Sequence, residues 1–196
     1  MSTKIIGLTG GIGSGKTTIV NYIASKGIPV YIADDAGKRV MQEPVIIRQI
    51  NALFDGKVLL ENGQLDRAKI AALVFDNKDL LKSLNDIVHP AVAQDFNEFK
   101  KLHSKAEIIV KETAVLFESG SYKDCDATIL ITAPEDVRIE RVMKRDGVDR
   151  EAVLKRIKNQ MSDQDKIQLA DFTVNNIKLE QVFIEIDKII GKLLKL

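Results

Sequence analysis

The chain carries one cysteine, Cys125, and two histidines, His89 and His103, in 196 residues. A single thiol forms no internal disulfide and builds no cysteine-based zinc site. Two histidines so far apart in sequence give no histidine-rich metal centre. No run approaches the ~18 consecutive apolar residues of a bilayer-spanning helix. The opening stretch MSTKIIGLTGG passes straight from a few apolar residues into glycines, without a signal-peptide cleavage region. Neither sign of charge dominates: 29 Lys+Arg stand against 28 Asp+Glu, a net charge of +1. That balance argues against a dedicated duplex-DNA binder, which carries a clear basic excess. The chain has no internal repeat and no low-complexity linker. The expectation is a soluble cytoplasmic protein with no membrane or nucleic-acid partner, a monomer or a weak homo-oligomer.

Hydrophobic residues make up 45% and charged residues 29%, which excludes wholesale disorder, and the length suits one domain with room for a small second lobe. Short apolar runs bounded by glycine, proline or acids read as buried parallel strands at Lys4–Thr9, Pro29–Ala33, Glu107–Lys111, Ala127–Thr132 and Ala170–Asn175. Helical spacing falls between them. It predicts helices over Lys16–Lys26, Leu65–Phe75 and Leu80–Leu102, the last bending at His89-Pro90. A further helical stretch runs from Pro134 to Met161, interrupted at Asp146-Gly147. A closing helix carries Leu179, Val182, Phe183, Ile186, Ile190, Leu193 and Leu194 on one face. Strands alternating with helices mean an α/β fold with crossover connections. The segment from Asp34 to Ser104 is helical, too long for a loop, and forms a second lobe.

Gly10-Gly11-Ile12-Gly13-Ser14-Gly15-Lys16-Thr17 fits the pattern G-x-x-x-x-G-K-[ST] at every required position, between a strand and a helix. Glycines let the backbone curl so that several amides converge on phosphate oxygens, and the helix N-terminus adds its positive dipole end. Lys16 is placed to reach the β- and γ-phosphates, and the Thr17 hydroxyl to ligate Mg²⁺. The loop binds a nucleoside triphosphate.

Three kinds of protein use such a loop. Asp34-Asp35-Ala36-Gly37 matches a GTPase D-x-x-G, but it lies only 18 residues after Lys16. Asn77-Lys78-Asp79-Leu80 fails as a guanine reader at Leu80, which cannot hydrogen-bond the base. An ATP-driven machine places adjacent acids after an apolar strand; Ile108-Ile109-Val110-Lys111-Glu112 lacks that pair. A kinase accounts for more. Asp34 stands at the end of the second strand, where it either accepts a proton from an acceptor hydroxyl or caps the helix Asp35–Met41. Between Arg138 and Lys158 lie five arginines and three lysines against four acids, with Arg138, Arg141 and Arg145 spaced along one helical face. Such a stretch supplies cations to a migrating phosphoryl group as a lid, or forms an exposed helix laced with ion pairs. Two or three of these eight cations are expected to face phosphate.

The chain resembles the dephospho-CoA kinase family over almost its full length. The likeness rests on Gly7 through Lys16 (GLTGGIGSGK), Ala33-Asp34, and Phe75 through His89-Pro90. It continues through Leu116-Phe117-Glu118-Ser119-Gly120, Arg141 to Arg145-Asp146, Arg150 with Arg156 and Gln160, and Ala170-Asp171 with Asn176. Three positions depart from the family pattern: Ile32 replaces the first acid of D-A-D, Ala114 replaces a proline, and Lys38 replaces an arginine.

The resemblance implies transfer of the ATP γ-phosphate to the ribose 3′-hydroxyl of dephospho-CoA, the last step of coenzyme A biosynthesis, with Mg²⁺ accompanying ATP. It implies catalytic roles for Asp34 as base, Lys16, and Arg141 as a lid cation. ATP would be bound by Gly11, Ile12, Gly13, Ser14, Gly15, Lys16, Thr17, Thr18, Arg145 and Asn176, with Thr17 on the metal. Substrate contacts are implied for Asp34, His89 and Glu118. His89 alternatively is a core histidine fixing the bend at Pro90, and Glu118 orients substrate, orients Mg²⁺, or caps the following turn. The implied architecture is a P-loop NTPase core, a three-layer parallel sheet over 1–33, 105–137 and 159–196. It carries a helical substrate lobe over 34–104 and an arginine-rich lid over 138–158.

Overall fold

The apolar runs of the sequence become the strands of one parallel sheet. In chain order the elements of the computed structural model, which describes residues 3–195, are β1 (Lys4–Gly10), α1 (Lys16–Ser25), β2 (Val30–Ile32), α2 (Ala33–Val40), α3 (Pro44–Leu53), α4 (Arg67–Val74), α5 (Lys78–Leu102), β3 (Ile108–Glu112), β4 (Ala127–Thr132), α6 (Glu135–Asp146), α7 (Arg150–Lys158), α8 (Asp163–Leu169), β5 (Phe172–Asn175) and α9 (Leu179–Leu193). A 3-10 turn at Ser121–Asp124 precedes β4. The chain divides into two units, one of Met1–Ile32 with His103–Leu196 and one of Ala33–Leu102.

The first unit holds the sheet, in the order β2-β3-β1-β4-β5. Every pairing is parallel, with Leu8 opposite both Glu112 of β3 and Ile129 of β4. Such a sheet is covered on both faces, which is why β1 and β4 read as near-continuous apolar runs rather than alternating ones. Ile129 and Ile131 of β4 pack with Ile19 and Ile23 of α1 and with Val182 and Ile186 of α9. Leu130, on the opposite face, packs with Leu116 and Phe117 instead. Leu8, Ile129, Leu130 and Ile131 have no exposed surface, and each such side chain contributes about 2 kcal/mol by leaving water.

The connection from β1 runs to β2 on one side of the sheet and that from β4 runs to β5 on the other. Their carboxyl ends therefore bracket a topological switch point, where open α/β sheets bind ligands. The loop following Gly10 and the helix following β4 both start there.

The second unit is built from α2 to α5 around Ile46, Ile50, Phe54, Val58, Leu65, Ile70 and Leu84. Pro44 opens α3 at a position where its missing N–H costs nothing, and the Asp66 side chain caps α4 by accepting from the Lys69 amide. Arg39 of α2 donates to Asp95 of α5 at 2.9 Å. Leu59 and Leu65 form an isolated antiparallel bridge, the one departure from helix and turn among the described residues of this unit.

Three details differ from the sequence expectation. Helix α2 begins at Ala33, so Asp34 lies inside its first turn rather than capping it. His89 is exposed on helix α5, which includes Pro90, and is not a core residue. The stretch after Met161 forms α8, where no element was expected; the Ser162 hydroxyl caps it by accepting from the Asp165 amide at 3.1 Å.

Candidate active site

The loop from Gly11 to Gly15 adopts a shape that L side chains resist. Gly13 has φ +78° and Gly15 φ +90°, the left-handed region that costs a side-chain-bearing residue ~1–2 kcal/mol. Gly15 stands at the N-cap of α1 and brings no side chain to satisfy the orphan amides of the first turn, nor does that turn carry an acid. Unfilled amides and the helix dipole leave an anion site. The Lys16 ammonium donates to the Gly10 carbonyl at 2.7 Å, and Thr17 and Thr18 are exposed in the first turn.

Side chains distant in sequence hold the loop's carbonyls. The Ile12 carbonyl accepts from Arg138 Nε at 2.9 Å, and the Ser14 carbonyl accepts from Asn176 Nδ2 at 2.8 Å. Arg141 reaches the Gly13 carbonyl over a long 3.5 Å and the Asn176 carbonyl at 3.0 Å. In a trans peptide the N–H points opposite to the C=O. Fixing the carbonyls of Ile12 and Ser14 therefore directs the N–H groups of Gly13 and Gly15 away from Arg138 and Asn176. Both glycines line a cavity of about 400 Å³ that also takes in Lys16, Thr17, Thr18, Ala114, Arg141, Arg145 and Gln160. A larger hollow of about 520 Å³ between β5 and α9 shares no residue with the loop; it is lined by two lysines, a glutamate and a mixture of apolar and neutral polar side chains.

Helix α6 follows β4 at the switch point and delivers three arginines on one face, with different outcomes. Arg141 and Arg145 line the cavity. Arg138 is only 4% exposed and lies behind the loop, its NH1 2.6 Å from Asp163 Oδ2 of α8. Arg145 also grips Asp146 through two hydrogen bonds of 2.7 and 3.1 Å, and Arg156 of α7 adds a third at 2.7 Å. The Arg145 hydrogen bond, seconded by Arg156, holds the Asp146 carboxyl down at about 2.

Glu118 does not cap the turn that follows it. Its Oε1 accepts from the Met161 amide at 3.3 Å and lies 3.0 Å from the ammonium of Lys166, a residue with no exposed surface. Asp34 and His89 both fall in the second unit and both are exposed. Glu112, 8% exposed, ends β3 beside the last residues of β1. Burial pushes the Cys125 thiol up to about 11.

Sequence reasoning brought Gly11 to Thr18, Arg141, Arg145 and Asn176 to one place, and the structure assembles them. It missed Arg138 as a loop-holding residue and Lys166 as the partner of Glu118. It also gave Gln160 no role, although its Oε1 accepts from the Ile12 amide at 2.9 Å. Ser162 followed three residues later by Asp165 was a usable signal for α8, the element that carries Asp163 and Lys166. The long-range pairs had no local signal.

Similarity to characterised proteins accords with this geometry. The dephospho-CoA kinase family model matches residues 4–181. Dephospho-CoA kinase from Fusobacterium nucleatum is 39% identical over 189 residues, covering 96% of this chain and 97% of that protein. The enzyme of the same name from Porphyromonas gingivalis is 39% identical over 172 residues, 87% of this chain and 85% of its own. Among solved structures, one from Thermus thermophilus superposes with a TM-score of 0.88 at 34% identity, over 98% of this chain and 99% of the other. A shikimate kinase from Bacteroides thetaiotaomicron, with a TM-score of 0.52 at 12% identity over 96% and 98% of the two chains, shares the fold alone. Full-length kinship at this identity, joined to an assembled phosphate loop, places the chain in the dephospho-CoA kinase family.

Proposed function

We propose that this protein transfers the γ-phosphoryl group of ATP to the ribose 3′-hydroxyl of dephospho-CoA, giving CoA and ADP. The observation that carries the reading is the phosphate loop with its carbonyls held from behind, in a chain 39% identical to a dephospho-CoA kinase along 96% of its length.

The hydroxyl oxygen attacks the γ-phosphorus as the bond to the β,γ-bridging oxygen breaks, and ADP leaves. Asp34 positions the hydroxyl and takes its proton. The chain passes from Ile32, at the carboxyl end of β2, into Asp34 two residues later, which suits that role. Lys16 and Arg141 stabilise charge on the migrating group, and Arg145 and Asn176 complete the ATP contacts. Ala33–Leu102 accepts dephospho-CoA, with His89 among its contacts, and Glu118 orients the substrate side of the site. The segment 138–158 is the lid, anchored at its start by Arg138.

Thr17 is the protein's ligand for Mg²⁺. A single exposed hydroxyl fits an ion that keeps several waters and takes its remaining ligands from phosphates. Thr17 would hold Mg²⁺ there, and the ion would supply charge neutralisation to the ATP phosphates.

The test is ATP turnover with Mg²⁺, with and without dephospho-CoA, following CoA by mass. Acceptor-dependent CoA formation is expected. Acceptor-independent ATP hydrolysis alone would overturn the substrate assignment and send the search to other hydroxyl acceptors.

A further inference from the structure

The phosphate-loop pattern demands glycine at Gly10 and Gly15 and leaves the four central positions open. Two of those four, Gly11 and Gly13, are glycine here. The Arg138 side chain accounts for the first, and the backbone at position 138 together with a φ of +78° accounts for the second. A methyl group on Gly11, which is buried, would stand 2.7 to 3.0 Å from the Arg138 guanidinium. One on Gly13 would come within 2.5 Å of the Arg138 carbonyl oxygen. At Gly11 the loop is stripped of a side chain where the guanidinium presses against it.

The same arginine makes one half of a two-sided grip on a single residue. Its Nε donates to the Ile12 carbonyl at 2.9 Å, while the Ile12 amide donates to Gln160 Oε1 at 2.9 Å. Both polar backbone groups of Ile12 are thus held by side chains 126 and 148 residues away. Asp163 takes the other edge of the guanidinium and leaves Nε aimed at the carbonyl. This division of labour needs a planar fork with separate donors; a lysine has one nitrogen and cannot serve both partners in that geometry.

We propose that Arg138 and Gln160, with Asp163 seating the arginine, are positioning residues for phosphoryl transfer: they clamp the Ile12 peptide and so shape the phosphate loop before the nucleotide arrives. The proposal rests on the loop being the ATP site. Arg138 does not line the nucleotide cavity, and Gln160, which does, acts here through its bond to the Ile12 amide. They act through the direction of the Gly13 amide, which the fixed Ile12 carbonyl sets.

A mutant cycle tests it. Gly11→Ala and Gln160→Met are each expected to raise the KM for ATP by about tenfold while the KM for dephospho-CoA stays within about twofold. Arg138→Lys behaves alike. In an Arg138→Ala background, where the guanidinium no longer fills the space, adding Gly11→Ala raises the ATP KM by less than about twofold further. A merely structural role would instead lower the melting temperature and move both KM values together.

Equal effects of Gly11→Ala in the two backgrounds, or an unchanged ATP KM in Gln160→Met, overturn the clamp. If Arg138→Ala does not fold, the Gly11→Ala, Arg138→Lys and Gln160→Met singles decide on the same criteria. If the wild-type chain makes no CoA, the proposed reaction fails. Calorimetric ADP affinity then replaces the ATP KM and still reads the clamp.

Discussion

Lys166 and Glu118 form a lopsided ion pair: the lysine has no exposed surface, and its ammonium lies 3.0 Å from a glutamate that keeps 24% of its side-chain surface in water. A buried ammonium depends on its partner far more than an exposed carboxylate does. Glu118→Ala is expected to destabilise the fold by ~3 kcal/mol in urea unfolding, because it strands the charge. Lys166→Met in the Glu118→Ala background recovers most of that loss. A loss below about 0.5 kcal/mol for Glu118→Ala would mean that the pair does not hold the two segments together.

Asp34→Asn keeps the size and the helix position of the side chain and removes its basicity. Turnover is expected to fall by ~10³-fold, within the range that general bases supply, with the KM for ATP unchanged. An unchanged kcat would remove Asp34 from the mechanism.

The Asp146 carboxyl, held at about 2 against an ordinary 3.8 by Arg145 first and Arg156 second, titrates below the usual carboxylate range. Its folded value lies below its unfolded one. The pairing therefore stabilises the fold above about pH 4 and loses that effect as pH falls toward 2. Carboxyl-carbon NMR should place the Asp146 midpoint near 2 in the wild type and move it upward in Arg145→Gln. A midpoint that stays put in that variant would show Arg145 is not the cause.

Two glycines with nearly the same backbone angle separate strain from crowding. Gly15 has φ +90° and Gly27 φ +79°, but a methyl on Gly15 would collide with Asn176 Nδ2, whereas one on Gly27 would meet nothing within 4 Å. Gly27→Ala is expected to cost ~1 kcal/mol of stability and leave the ATP KM alone. Gly15→Ala should cost more stability than that, because buried Asn176 must shift, and weaken ATP binding at least tenfold (about 1.4 kcal/mol). Equal ATP KM values in the two variants would show that Asn176 does not set the loop.

Much of the fold is local and was readable. The apolar runs at Lys4–Thr9 and Ala127–Thr132 name strands because a parallel sheet buries both faces. The phosphate loop names its own strand–turn–helix setting. What was hidden is of two kinds. The exposure of His89 depends on which stripe of α5 packs inward, and only Leu84 and Phe96 of that helix are buried. The grip of Arg138 and Gln160 on Ile12 joins segments more than a hundred residues apart. Arginine spacing alone gave Arg138, Arg141 and Arg145 equal standing. The sheet order breaks that equality, because α6 leaves β4 against the loop and its first turn is covered.

Helix α6 also works as a ruler with its zero mark at Ile12. At a rise of ~1.5 Å per residue, Arg141 and Arg145 stand ~4.5 and ~10.5 Å along the axis from Arg138, in step with the turns. A straight helix does not stretch, so the two cavity-lining cations keep their spacing from the loop as long as that first turn stays seated. Past the end of α6, Gly147 with φ +66° turns the chain, and α7 folds back so that Val153 packs with Ile139 and Val142 while Arg150 and Arg156 bond Asp136 and Asp146 of α6. Charge delivered from α6 is thereby metered at fixed distances from Ile12, and α7, packed on the same helix, shares that anchor.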